Sequence, residues 1–167
     1  EEIEAFRTEF LSHPRDRDKV LRDGAEMRSR LAAAKAPAGI WDAKNGPGRL
    51  MDIELMAETG ALLAGFAQRD VSSGLDGAVA AGLLDVAQAQ SLKDCYDLCW
   101  SVQCAARLLS GKAIEADKIG EGGTAFLCRA TGFEQVEALQ AALLESYTTA
   151  ADLIGGVIKG GEDGAQH

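Results

Sequence analysis

The chain has 167 residues, a formal charge of −9 and few aromatics (5 %): enough length for one domain with a genuine core, and the wrong sign for nucleic acid or an anionic membrane as primary partner. No apolar run approaches the ~20 residues that span a bilayer, and nothing at the start reads as a signal peptide. Alanine and leucine dominate while alternating β-branched runs are missing, so the expected fold is all-α: a helical bundle of about five to seven helices around a central buried one.

In chain order, residues 1–12, EEIEAFRTEFLS, read as a short amphipathic helix with Ile3, Phe6 and Phe10 on one side, stopped by Pro14. A start at EEIEAF, with no initiator methionine, is expected of a piece of a longer protein. A second helix is expected over 16–36. Val20, Leu21, Met27 and Leu31 form its apolar face, and Arg15, Arg17, Lys19, Arg22, Arg28 and Arg30 its basic one. APAG ends it. The third helix, about Leu50 to Gln68, carries Ile53, Leu55, Met56, Ala57, Ala61, Leu62, Leu63, Ala64 and Phe66 on all sides of the wheel, so it is the candidate spine. Ser73 with Asp76 resembles a capping box opening a short helix to about Ala81, and Asp85 with Gln88 repeats the signal for a long helix over 86–110. GKAIEADKIGEGG reads as a flexible connection. TAFLCRAT is a short helix, and the last runs from about Phe133 to Ile158, with Val136, Leu139, Leu143, Tyr147, Ala150 and Ile154 as its stripe. One domain is expected over 1–158, with a disordered tail over 159–167.

Cys95, Cys99 and Cys104 fall on the long helix and Cys128 on the next. Cys95 and Cys99 share a face, but no histidine is near and CxxC spacing is absent, so the expectation is reduced thiols serving as small core hydrophobes, with no metal site.

The polar entrance to the third helix, WDAKNGPGRLMDIELMAE over 41–58, carries the candidate site. Gly46 and Gly48 can turn backbone N–H groups outward ahead of a helix N-terminus, with Lys44 and Arg49 beside them, which is how an anion is bound. Against that, only two cations face Asp42, Asp52, Glu54 and Glu58 here. First-turn carboxylates stabilise a helix through its macrodipole without any function. Glu54 and Glu58 lie four apart on one face and repel unless a cation sits between them, a place Lys44 or Arg49 would fill by folding back. Anion site and loop-locking ion pair are both open on residues alone.

The run Lys44-Asn45-Gly46-Pro47-Gly48-Arg49-Leu50-Met51-Asp52-Ile53-Glu54 resembles a signature of the bacterial glutamine synthetase adenylyltransferases. In that family it occurs in the helical domain that follows each nucleotidyltransferase domain, a domain shared with the PII uridylyltransferases. AEMRSRLAA (25–33) looks like the arginine-containing helix before the signature. AAGLLDVAQAQSLKDCYDLCWSVQ (80–103) looks like the helical pair after it, and ATGFEQVEALQAAL (130–143) like the closing helix, so the resemblance covers roughly 15–158. The DIE spelling without a preceding arginine looks more like the C-terminal half, which attaches AMP to glutamine synthetase; the first half removes it. Where this chain has Arg49, Leu55 and Glu58, the family usually has a second glycine and often a phenylalanine and a glutamine.

The resemblance implies a cytoplasmic enzyme of nitrogen control that uses ATP and magnesium and answers to the PII signalling protein and glutamine. The glycine-serine and paired-aspartate motif that holds the metal in that family does not occur in this chain, so the fragment is expected to hold no catalytic residue, no metal and no cofactor of its own, and not to transfer AMP by itself. Its implied partners are the adjacent nucleotidyltransferase domain, glutamine synthetase and PII, with no nucleic acid and no membrane. Lys44, Gly46, Gly48, Arg49, Asp52, Glu54 and Glu58 are the expected nucleotide-proximal or domain-junction residues, with Arg49 neutralising the Glu54/Glu58 face. The alternative is a stand-alone helical protein-interaction module, for which a complete polar surface is expected.

Overall fold

Apolar residues at helical spacing, interrupted by caps and glycines, give seven helices and no strand among the described residues, 2–65, 67–111, 114 and 119–159 of the computed structural model. They are α1 (Glu2–Ser12), α2 (Arg17–Ala34), α3 (Leu50–Ala64), α4 (Val71–Ala80), α5 (Val86–Ser110), α6 (Gly120–Thr131) and α7 (Val136–Val157). The spine expected of the third helix is found: α3 packs against α2, α4, α5 and α7. It buries Leu50, Ile53, Met56 and Ala57.

The core falls into two adjoining groups. One gathers Trp41, Leu50, Cys99, Val102, Leu127, Leu139, Leu143 and Tyr147 between the entrance loop, α5, α6 and α7. The other gathers Ile53, Met56, Leu75, Leu92, Ile154 and Ile158 between α3, α4, α5 and α7. Tyr96 packs against both. The entrance loop is therefore part of the core wall, with Trp41, Asp42 and Ala43 buried.

Caps set the helix ends, and several differ from the sequence expectation. Asp85 and Gln88 make both arms of the predicted capping box at the head of α5. For α4 the cap is Asp70: its carboxylate accepts from the Ser73 N–H and hydroxyl, so the helix starts two residues earlier than Ser73. Asp76 is instead drawn to Lys93 on α5 at 2.6 Å. α3 stops at Ala64, where the Gly65 N–H closes on the Ala61 carbonyl, short of Gln68. Phe66, much of the 111–123 connection and the tail from 160 onward lie outside the described residues. α6 begins at Gly120, a turn before Thr124, and α7 begins at Val136, because the Phe133 N–H turns back onto the Cys128 carbonyl.

The α3–α4 crossing is close because both helices present glycine. A Cβ at Gly60 would lie 2.6 Å from Ala78, and one at Gly74 would lie 2.8 Å from Ala57. Alanine gains ~1 kcal/mol in helix propensity, yet overpacking typically costs ~1–3 kcal/mol. The expected result for Gly74→Ala is a net loss of about 1–2 kcal/mol, since the contact includes backbone that cannot move aside. A higher thermal midpoint for Gly74→Ala than for wild type would contradict so tight a crossing.

Cys95, Cys99 and Cys128 are buried free thiols, as expected of core hydrophobes, but Cys104 is exposed on the outer face of α5. Burial, with Cys95 beside it, pushes the Cys99 thiol up to about 12, so it stays a neutral thiol near pH 7. Among the described residues no helix is long and apolar enough to cross a membrane.

Candidate functional site

Asp42 organises the loop ahead of α3. Its carboxylate accepts from the Ala38 N–H (3.1 Å), from the Lys44 and Asn45 N–H groups (3.2 Å each) and from the Asn45 side-chain amide. Burial alone pushes the carboxyl upward. The hydrogen bonds from Ala38, Asn45 and Lys44 outweigh it and hold Asp42 below the usual carboxylate range. A depressed folded value contributes stability that is fully present above the unfolded value of about 3.9 and is lost as pH falls through the folded one. Asp42→Asn has no such carboxylate to protonate. The expected result is that wild type loses more of its urea midpoint than Asp42→Asn between pH 5 and pH 2; parallel loss would remove Asp42 from the acid response.

Beyond the loop, the chain passes through Gly46 (φ +117) and Gly48 (φ +69) and enters α3 at Arg49. The first-turn donors of α3 have partners within the protein. Leu50 N–H goes to the Ala43 carbonyl (3.1 Å), Met51 N–H to that of Lys44 (3.2 Å), and those of Asp52 and Ile53 to that of Arg49 (3.0 Å each). The Gly48 N–H donates to Asp52 Oδ2 at 2.8 Å. The N–H groups of Gly48 and of Leu50 to Ile53 are thus engaged within the protein, because the loop folds over this helix mouth.

Arg49 corrects a second expectation. It is 9 % exposed, and its guanidinium donates to the carbonyls of Gly39 (2.8 Å) and Asp42 while lying 4.2 Å from the centre of the Tyr147 ring. No ion pair joins it, or Lys44, to Glu54 or Glu58 among the described residues. The physical reason is satisfaction of donors: a guanidinium drawn into the core wall takes the carbonyls available there, and the aromatic face adds a cation–π contact. Tyr147 completes the clasp by donating to the Ile40 carbonyl at 3.0 Å, and burial raises its phenol above the ordinary tyrosine value.

The partner of Asp52 is Arg28, from the stripe read as the basic face of α2. Its Nε and Nη2 meet Oδ1 and Oδ2 at 2.8 and 2.9 Å, and Nη1 and Nη2 also reach the carbonyls of Ile158 and Ala151 at 3.3 and 3.4 Å. One guanidinium thus ties α2 to the head of α3 and to α7. Of the remaining predicted residues, Lys44 and Glu58 are exposed and Glu54 is half-buried, accepting from the Tyr96 hydroxyl at 3.4 Å. Arg28, Asp42 and Tyr147 are the site residues that sequence reasoning did not single out. The one available signal was the arginine-containing stretch 25–33 in the family pattern.

Between α2 and the glycine turn lies a groove of about 280 Å³, with Leu31, Ala32, Pro47 and Met51 on its walls and the Arg28–Asp52 pair among its lining. Among the described residues no three His, Cys, Asp or Glu side chains converge to hold a metal ion. Asp42 and Asp52, the buried carboxylates of the clasp, are taken up by N–H groups and by Arg28, so neither is presented to a magnesium ion.

The family model described as GlnD PII-uridylyltransferase matches residues 24–159, from within α2 to just past α7. Similar curated proteins named "Bifunctional glutamine synthetase adenylyltransferase/adenylyl-removing enzyme" occur in Brucella suis (32 % identity, 83 % of this chain and 14 % of the relative) and in Bradyrhizobium sp. strain BTAi1 (33 %, 86 % and 15 %). The one in Rhodopseudomonas palustris strain TIE-1 is 29 % identical over 96 % of this chain and 17 % of its own length. The chain therefore spans about a sixth or less of the curated relatives it matches. No solved structure matches. The helical architecture, the signature folded as a clasp at the head of the spine, and a match over most of the length agree: the chain belongs to the GlnD PII-uridylyltransferase family.

Proposed function

We propose that this chain is the helical domain of a glutamine synthetase adenylyltransferase, from the half that attaches AMP, and that it supports a neighbouring nucleotidyltransferase domain in the same polypeptide. The observation that carries the reading is the Lys44–Glu54 signature, which lies within the matched span and folds as a single clasp at one end of the bundle. In this reading the clasp has two layers. Gly48, Arg49 and Asp52 fix its shape from inside, while Lys44, Gly46, Glu54 and Glu58 face the neighbour. The mixed groove beside Pro47 and Met51 supports such a contact. ATP and magnesium belong to the neighbouring domain, glutamine synthetase is the substrate, and PII regulates the whole enzyme in the cytoplasm.

The test uses the full-length polypeptide with labelled ATP, magnesium and glutamine synthetase. The expected result is label on glutamine synthetase with the full-length enzyme and none with this chain alone. Lys44→Ala, at an exposed position, is expected to lower transfer without moving the urea midpoint. A full-length polypeptide that leaves glutamine synthetase unlabelled overturns the proposal. The interaction-module reading gains nothing from the surface, which exposes Phe6, Phe10, Trp100, Leu108 and Leu144 where a complete polar surface is expected of it.

A further inference from the structure

α1 is an amphipathic helix turned the wrong way round. It buries none of its residues. Its polar side holds it to the bundle: the Arg7 guanidinium donates to the Gln68 carbonyl, and Glu4 pairs with Arg69 at 2.7 Å. Its apolar side faces outward, with Ile3 85 %, Phe6 68 % and Phe10 55 % exposed. Phe6 and Phe10 stack with ring centres 6.2 Å apart, and the Arg15 guanidinium lies 5.0 Å from the centre of the Phe10 ring.

Arg15 carries this face into a groove of about 510 Å³ between α2 and α3, lined by Pro14, Val20, Met27, Leu55 and Leu62 among others. The Nε of Arg15 is buried there with no hydrogen-bond partner. Nη2 of the same guanidinium donates to the Phe10 carbonyl at 3.3 Å, which holds Arg15 against the end of α1. An apolar ridge thus runs on into a groove of mixed lining, in which Asp16, Lys19, Asp23 and Glu58 stand beside the apolar residues.

We infer that this surface seats the folded neighbour of the bundle in the same polypeptide, the nucleotidyltransferase domain of the reading above, on whose identity the inference rests. The neighbour presents apolar side chains toward Ile3, Phe6 and Phe10 and a basic rim toward Glu2 and Glu9, since Glu4 is already held by Arg7 and Arg69. Two features favour a tethered occupant over a second copy. α1 lies wholly before residue 24, where the family match begins, and the relatives carry the equivalent of this chain as 14–17 % of a much longer polypeptide. A helix of 11 residues is about 16 Å long, and the groove beside it is modest. That is little for the ~800 Å² per partner of a free-standing interface, but a linked domain arrives at an effective concentration near millimolar and needs far less. The acidic flanks also repel anionic lipid.

The test places p-benzoylphenylalanine at position 6 of the full-length polypeptide and maps the photocrosslink by mass spectrometry. The expected adduct is intramolecular, outside residues 1–167, with a yield independent of protein concentration. A companion variant, Phe6→Asp with Phe10→Asp, is expected to speed amide exchange of residues 2–12 at least tenfold in the full-length protein. Because both rings are exposed here, it should leave the urea midpoint of the 167-residue chain unchanged. Adducts to a second copy that rise with concentration, adducts to added vesicles, or no adduct at all overturn the inference. AMP transfer by the same preparation reports separately on the proposed function: its loss with the intramolecular adduct retained removes the enzyme reading and leaves the surface.

Discussion

Arg28→Ala is expected to destabilise the domain by about 3–5 kcal/mol, the range for removing one partner of a buried ion pair. The Asp52 side chain is 7 % exposed and that of Arg28 19 %, so water reaches the pair poorly. Both carboxylate oxygens are engaged by Arg28, and Oδ2 also accepts from Gly48. With the guanidinium gone, that N–H alone is left to support a buried negative charge, and the carbonyls of Ala151 and Ile158 lose their contact as well. The pair itself need not be strongly stabilising; the cost arises from stranding one half of it. Arg28→Met combined with Asp52→Asn is therefore expected to recover most of the loss, because the amide oxygen still accepts from Gly48 while no charge is stranded. Urea denaturation of Arg28→Met, Asp52→Asn and the double variant gives the coupling directly. The Arg28→Ala loss should persist at 1 M salt, where the more exposed Lys93–Asp76 pair is screened. A loss below about 1 kcal/mol would place Arg28 among ordinary surface cations.

The same residue shows where sequence reading stops. Periodicity finds α5 to the residue, because Asp85, Gln88 and Gly111 mark its ends with local chemistry. It finds the stripe of α7 because Leu139, Leu143, Tyr147, Ala150 and Ile154 repeat at helical spacing and are all buried. But a basic stripe looks identical whether all its members are solvated or one turns inward to a carboxylate 24 positions away. Arg49 is the same case from the other side. Local spacing offers it the Glu54/Glu58 face, whereas the fold offers it the carbonyls of the loop and a ring from α7, and burial decides in favour of the latter. The start of α4 was displaced because Ser73 and Asp70 both have capping chemistry, and only the path of the chain selects between them. α1 was legible as amphipathic, but which of its sides faces the bundle depends on polar ties to Gln68 and Arg69, far along the sequence.

Gly48→Ala is expected to be at least as damaging as the loss of Arg28, and for a reason that sequence alone only half reveals. The glycine was expected to serve an outward-facing turn. Instead it is buried and sits against the backbone of α7: a Cβ there would lie 1.9 Å from the Tyr147 carbonyl oxygen and 2.8 Å from the Ala151 nitrogen. Two penalties combine. A left-handed φ of +69 costs a residue with a side chain about 1–2 kcal/mol. A Cβ at 1.9 Å from a main-chain oxygen cannot be relieved by a rotamer change, so α7 must move off the head of α3. That movement pulls Arg28 from the Ala151 carbonyl and Arg49 from the Tyr147 ring together. The expected total is about 4 kcal/mol or more, enough to remove most of the stability of an ordinary domain. Gly46→Ala is the control. Its φ of +117 is also strained for a residue with a side chain, but the nearest atoms to its Cβ would be the side chains of Pro37 and Arg49 at 3.2–3.4 Å, so about 1–3 kcal/mol is expected with α7 left in place. Circular dichroism through a urea titration distinguishes them: Gly46→Ala should unfold cooperatively at a lower midpoint, and Gly48→Ala should show little folded baseline. Equal midpoints for the two would mean that the close approach of the turn to α7 is not what holds the clasp shut.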